Sequence, residues 1–183
     1  FIPSYTSAKL KNAKSGKTFA DDVLSLLIII LLFIVTLAEI FTPYLVYLIA
    51  PGFITDDTKF NLAVEFTRIT FPFLLFVSLS SFFSGILNAN NKFAAAAATP
   101  IILNVILIIS ILFSYSNNLN IAKQLSYGVT IAGIIQLLFL IYFTVRFYRP
   151  SVKFRFKITS KIKFFFKKLL PSIFSSGVTQ INI

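Results

Sequence analysis

From Ile69 to Leu87 the chain runs nineteen residues without a charge. At about 1.5 Å per helical residue, such a run matches the thickness of a hydrocarbon core of about 30 Å, so it reads as a transmembrane helix. Arg68 stands just inside one end, Pro72 in the first turns, a run of Ser with Gly85 in the second half, and an Asn-Ala-Asn-Asn-Lys turn at the exit. Similar runs lie before and after it. With 57% hydrophobic residues and 23 Phe among 183, the chain is too apolar for an ordinary soluble domain.

The order of the chain predicts an all-α polytopic transmembrane bundle of four complete spans and the start of a fifth. Residues 1–22 carry Lys9, Lys11, Lys14 and Lys17, and read as a short helix at the membrane surface followed by a capped start of the first span near Asp21 and Asp22. Spans are expected over 23–42, 62–87, 93–115 and 125–145, with Tyr44 and Tyr47 at the level of an interfacial aromatic belt. Pro100 lies inside the third span, where a proline frees a backbone carbonyl that a neighbouring helix is expected to satisfy. A basic loop over 146–168 follows, with nine Lys or Arg and no acid, and 169–183 begins the fifth span. The alternation from Val152 to Ile158 resembles a strand, but with Phe and Lys so close it reads as a surface-lying segment. Since the chain starts at Phe1 and stops at Ile183 within an apolar stretch, a longer protein is expected around it.

The net charge of +11 would suggest nucleic acid in a soluble protein. Here the basic residues fall between apolar runs, as the positive-inside rule expects, so no nucleic-acid partner is predicted. Four spans put residues 1–22, the 88–92 turn and the 146–168 loop on one side with 4, 1 and 9 basic residues, against Lys59 and Lys123 on the other. That asymmetry makes the basic side cytoplasmic. With neither Cys nor His, the chain holds no disulfide, thiolate chemistry or nitrogen and sulfur metal ligands of its own. No phosphate-binding Gly loop or nucleophile motif is present, so neither catalysis nor a cofactor is expected.

Arg68 and Glu39 are the charges within or at the edge of the spans, both roughly 5–9 Å below the outer interface by residue count. Two readings fit them. They line a polar substrate path, or they form a structural ion pair, with Arg68 alternatively snorkelling outward beside Glu65. Asn104, Gln136, Gln180 and Asn182 each either hydrogen-bond a sugar or phosphate or join two helices. Ser175, Ser176, Gly177 and Thr179 make the neighbourhood of Gln180 polar, which favours the path reading there. Ser80, Ser81, Ser84 and Gly85 read as close helix packing. The basic loop either binds anionic phospholipid head groups or only sets topology.

The ordered set Phe1 to Pro3, Ala50 to Phe53, Arg68-Ile-Thr-Phe-Pro-Phe73, Gly85-Ile-Leu-Asn-Ala-Asn-Asn-Lys-Phe93, Thr99-Pro-Ile-Ile-Leu-Asn104, Leu170 to Phe174 and Val178 to Ile181 resembles the MurJ/MviN family of lipid II flippases. The resemblance covers the whole chain. It implies a fourteen-span relative of the multidrug, oligosaccharidyl-lipid and polysaccharide exporters, of which this chain is about the third to seventh spans. It also implies an inner-membrane protein that moves lipid II to the periplasmic leaflet through a cationic cavity, with Ser175, Ser176 and Gln180 on a cavity wall. A sister exporter of polysaccharide lipids or drugs shares the bundle and the charge asymmetry. A membrane scaffold is the rival of another class, although it has no need of a polar interior.

Overall fold

A computed structural model describes residues 1–151. Among these the secondary structure is helical throughout: α1 (Ile2–Lys11), α2 (Ala13–Ile40), α3 (Thr42–Ile49), a 3₁₀ turn over Pro51–Thr55, α4 (Asp57–Thr70), α5 (Phe73–Ala89), α6 (Phe93–Ala97), α7 (Thr99–Ser116) and α8 (Ile121–Thr144). By length and composition four stretches can cross a membrane: Ala13–Ile40, Asp57–Ala89, Phe93–Ser116 and Ile121–Thr144. Each begins earlier than, or level with, its apolar run, because caps and not hydropathy set the starts. Asn12 caps α2 by accepting from the Lys14 amide at 3.0 Å, Asp56 caps α4 through the Lys59 amide at 3.1 Å, and Asn120 caps α8 through the Lys123 amide at 3.1 Å. The first span therefore starts at Ala13, inside the Lys-rich segment. Asp21 and Asp22, expected at a helix start, are interior helical residues. Lys59 donates to Asp56 first from its amide and then from its ammonium, which holds that carboxyl below its ordinary pKa.

Pro72 and Pro100 interrupt two spans and Pro43 follows the first, and near each proline hydroxyls bond backbone carbonyls. A proline has no N–H for the carbonyl four residues back. At Pro43 the Thr42 hydroxyl donates to Ala38 O at 2.7 Å and Glu39 O at 3.1 Å. At Pro100 the Thr99 hydroxyl donates to Ala96 O at 2.9 Å. The freed carbonyl is thus satisfied from within its own span, not by a neighbour as the sequence suggested. The neighbour acts one turn on, where Gln136 of α8 donates to Thr99 O at 2.7 Å. At Pro72 the Thr70 hydroxyl turns back to Phe66 O and Thr67 O, and Thr130 of α8 donates to Ile69 O. A single helix, α8, therefore holds two of the three breaks through side chains six residues apart.

Packing explains why α8 can do this. It lies along α7, α5 and α4, while α2 packs on α5 and on α1. Gly128 and Gly133 permit the approach: a Cβ at Gly128 would run into Ser110 Oγ, and one at Gly133 would meet Phe73 Cδ2 at 2.7 Å and Phe76 Cβ at 3.0 Å. The buried core gathers near the α5–α6 turn, where Tyr5, Phe19, Phe82, Phe83, Ile86, Leu140 and Tyr148 meet. The short helix α1 turns Tyr5 and Ala8 into this core. Phe1 stacks on Tyr5 and Phe19 and tilts against Phe82. On α7 the apolar residues Ile101, Ile108, Ile109 and Leu112 face outward, as suits a lipid-facing span.

Candidate functional site

Glu39 and Arg68 each stand four residues before a proline, Pro43 and Pro72. Each therefore lies in the last turn of its helix, α2 and α4, where the ladder of backbone hydrogen bonds is interrupted. Glu39 is half-buried, its Oε1 shielded and without a hydrogen-bond partner. Arg68 is exposed. The guanidinium is near enough to act on the Glu39 carboxyl electrostatically. No direct ion pair joins them: among the described residues the ion pairs are Lys59–Asp56 and Lys123–Glu65.

The Lys123–Glu65 contact, at 2.7 Å, overturns the pairing of Arg68 with Glu65. The reason is the early start of α8. Because Asn120 caps that helix, Lys123 occupies its first turn beside α4 and not a loop, and it reaches Glu65 across the helix pair. Arg68 is left without a carboxylate in contact. Chemically, this end offers a cation free to meet an anion, next to a carboxylate oxygen that lacks a donor.

The other polar candidates divide. Gln136 is buried and joins α8 to α7 at the Pro100 break, so its role is helix pairing. Asn104 is exposed on α7, and its side chain makes no hydrogen bond among the described residues. Ser80 is buried, and Gly85 lies where a Cβ would meet the Phe1 ring at 3.0 Å, which is close packing. Ser175, Ser176 and Gln180, Asn182, the Val152–Ile158 segment, most of the basic loop and the start of the fifth span lie outside the described residues.

One arrangement escaped sequence reasoning. Asp21 is 8% exposed and accepts the Tyr148 hydroxyl at 2.6 Å and the Ser151 amide at 3.0 Å. Burial first, and then the bond to Asp21, push the Tyr148 phenol well above its ordinary pKa. A signal was present: Phe19, Ala20, Val23 and Leu24 surround Asp21 in sequence, and an acid on an apolar face needs a partner. Lys9 Nζ also donates to Asn90 Oδ1 at 2.5 Å. These two contacts gather α1, the start of α2, the α5–α6 turn and the segment after α8 at one end of the bundle. Lys9, Lys11, Lys14, Lys17, Lys92, Arg146 and Arg149 lie in these segments, whereas Lys59 and Lys123 mark the other end. Among the described residues no cluster of His, Cys, Asp or Glu could hold a metal.

Comparison with known proteins adds the family. The family model described as "Lipid II flippase MurJ" matches residues 1–183. Among relatives, the "Probable lipid II flippase MurJ" of Rickettsia prowazekii (strain Madrid E) is 38% identical over 197 residues, covering 100% of this chain and 36% of the relative. Proteins of the same description from Rhizobium tropici and Rhizobium meliloti (strain 1021) are 35% and 32% identical over 189 residues, each covering 100% of this chain and 35% of the relative. The chain thus spans about a third of the length of these relatives. With four apolar helices built around α8 and every residue inside the family match, the chain belongs to the MurJ family of lipid II flippases.

Proposed function

We propose that the protein containing this chain carries lipid II, the lipid-linked peptidoglycan precursor, from the cytoplasmic to the periplasmic leaflet of the bacterial inner membrane by alternating access. The family match over the whole chain is the observation that carries this reading. The chain contributes about the third to seventh spans. A head group bearing a pyrophosphate and sugars costs many kcal/mol to bury in hydrocarbon without partners, so the protein must provide a cationic, hydrogen-bonding route. Arg68, unpaired within a span, supplies a cation for that route, with Glu39 and, further along the chain, Ser175, Ser176 and Gln180 as hydrogen-bonding groups. Transport asks for no catalytic residue. It asks for a polar cavity between helices that opens to each side in turn, and the proline breaks at residues 43, 72 and 100 supply discontinuous helices of the kind that line such cavities. The basic segment 146–168 is assigned to the cytoplasmic face, where it meets anionic phospholipids.

The test is rescue of bacteria depleted of their own lipid II flippase by the complete gene, together with lipid II movement in vesicles holding the purified protein. Rescue and movement are expected. Arg68→Gln should reduce both at matched membrane levels, and Ser176→Leu with Gln180→Leu should reduce them more than Ser80→Ala with Ser84→Ala. No lipid II movement, alongside clear movement of a polysaccharide lipid or a drug, would move the assignment to a sister exporter.

A further inference from the structure

Between the α5–α6 turn and the end of α8 lies a groove of about 500 Å³. Apolar Leu87, Phe93, Phe143 and Phe147 line it together with two cations, Lys92 and Arg146. Local structure explains the juxtaposition. Asn91 takes a left-handed conformation, φ 58°, and the Lys92 amide returns to Leu87 O at 2.9 Å, so the chain reverses at once and presents Lys92 and Phe93 beside α8. Arg146 follows Thr144, the last residue of α8. Both cations therefore stand at the ends of transmembrane helices on the same, basic side of the bundle. Twenty-four-residue helices such as α8 are about 36 Å long against a core of about 30 Å, so their ends reach head-group level.

Among the described residues neither Lys92 nor Arg146 is in an ion pair. Asp56 and Glu65 are engaged by other lysines, Lys59 and Lys123, toward the opposite end. Two unpaired cations above an apolar groove of this size match one class of molecule: a phosphate on a glycerol, with acyl chains below it. We propose that this groove is a binding site for a single anionic glycerophospholipid of the adjoining leaflet, its phosphate between Lys92 and Arg146 and an acyl chain along Phe93, Phe143 and Phe147. Basic pockets between transmembrane helices bind such head groups by this combination of charge and shelter. The inference requires only that the helices span a bilayer and does not rest on the flippase reading.

The test uses the complete protein, purified in neutral detergent, with phosphatidylglycerol or phosphatidylcholine added and the bound lipid measured by native mass spectrometry. One phosphatidylglycerol should be retained in preference to phosphatidylcholine. In K92Q/R146Q its apparent affinity should fall about thirtyfold, the loss expected for two basic contacts at an anionic surface. K92R/R146K, which keeps both charges, should retain it, and this pair guards against a folding defect in the first variant. K11Q/K14Q removes two charges at the same end outside the groove and should leave the binding within about twofold of the parent. Equal losses in K92Q/R146Q and K11Q/K14Q would mean diffuse attraction and overturn the site, as would full retention in K92Q/R146Q. Displacement of the lipid by inorganic phosphate at the same concentration would assign a free-anion site and overturn the lipid assignment.

Discussion

Tyr148→Phe removes one oxygen atom from the tie between the end of α8 and the start of α2. The Tyr148 hydroxyl, on a residue 3% exposed, donates to Asp21 Oδ1 at 2.6 Å, and the Ser151 amide donates to the same oxygen at 3.0 Å. A hydrogen bond to a charged group contributes about 1.5–3 kcal/mol. With 1.36 kcal/mol per tenfold change, local opening of residues 145–151 should become about tenfold to a hundredfold more frequent in the variant. Hydrogen–deuterium exchange of peptides from this segment, measured on the complete protein in a nanodisc, reads that change directly. Asp21→Ala should open the segment further, because it strands both the phenol and the Ser151 amide. The double variant should lose less than the sum of the two singles. The phenol adds a pH signature. Its folded pKa is raised, so its contribution is complete below the ordinary value of 10.0 and is lost as pH rises above that value, where the unfolded phenol ionises and the folded one does not. The parent should therefore lose melting temperature above about pH 10 more steeply than Tyr148→Phe. Exchange within twofold of the parent in Tyr148→Phe, with parallel alkaline limbs, would refute the argument that this tie holds the end of the bundle.

Gly133→Ala drives a Cβ to 2.7 Å from Phe73 Cδ2, so it should lower stability by about 1–3 kcal/mol in detergent unfolding, whereas Gly52→Ala, with nothing within 4 Å, should change it by less than about 0.5 kcal/mol. Reporter fusions after Asn90 and Lys157 should report cytoplasm, and those after Asp57 and Asn118 periplasm; one on the wrong side would break the four-span topology. For Glu39 and Arg68, which interact without a direct bridge, a double-mutant cycle should give a coupling below about 1 kcal/mol, and a coupling of 3 kcal/mol or more would reveal a buried pair.

The sequence by itself determined the class of the protein, because hydrocarbon thickness and backbone satisfaction act on composition and length, which are local quantities. The caps at Asn12, Asp56 and Asn120 were equally local, yet a hydropathy pattern hides them, and so the helix starts shifted away from the apolar runs. It could also mark Glu39 and Arg68 as unusual, since any ionisable residue within a span is. Which carboxylate meets which cation was beyond it. Glu65 went to Lys123 and not to Arg68, from a helix more than fifty residues away in the chain, and Asp21 went to Tyr148 and Ser151 from farther still. Such pairings depend on helix rotation and register, which are set by where Gly128 and Gly133 let α8 approach its neighbours. The same packing directed Thr130 and Gln136 to the carbonyls near two proline breaks, and brought Lys92 and Arg146 to one groove. Side-chain partners across a bundle are a property of three-dimensional contact, and only the tertiary structure decides them.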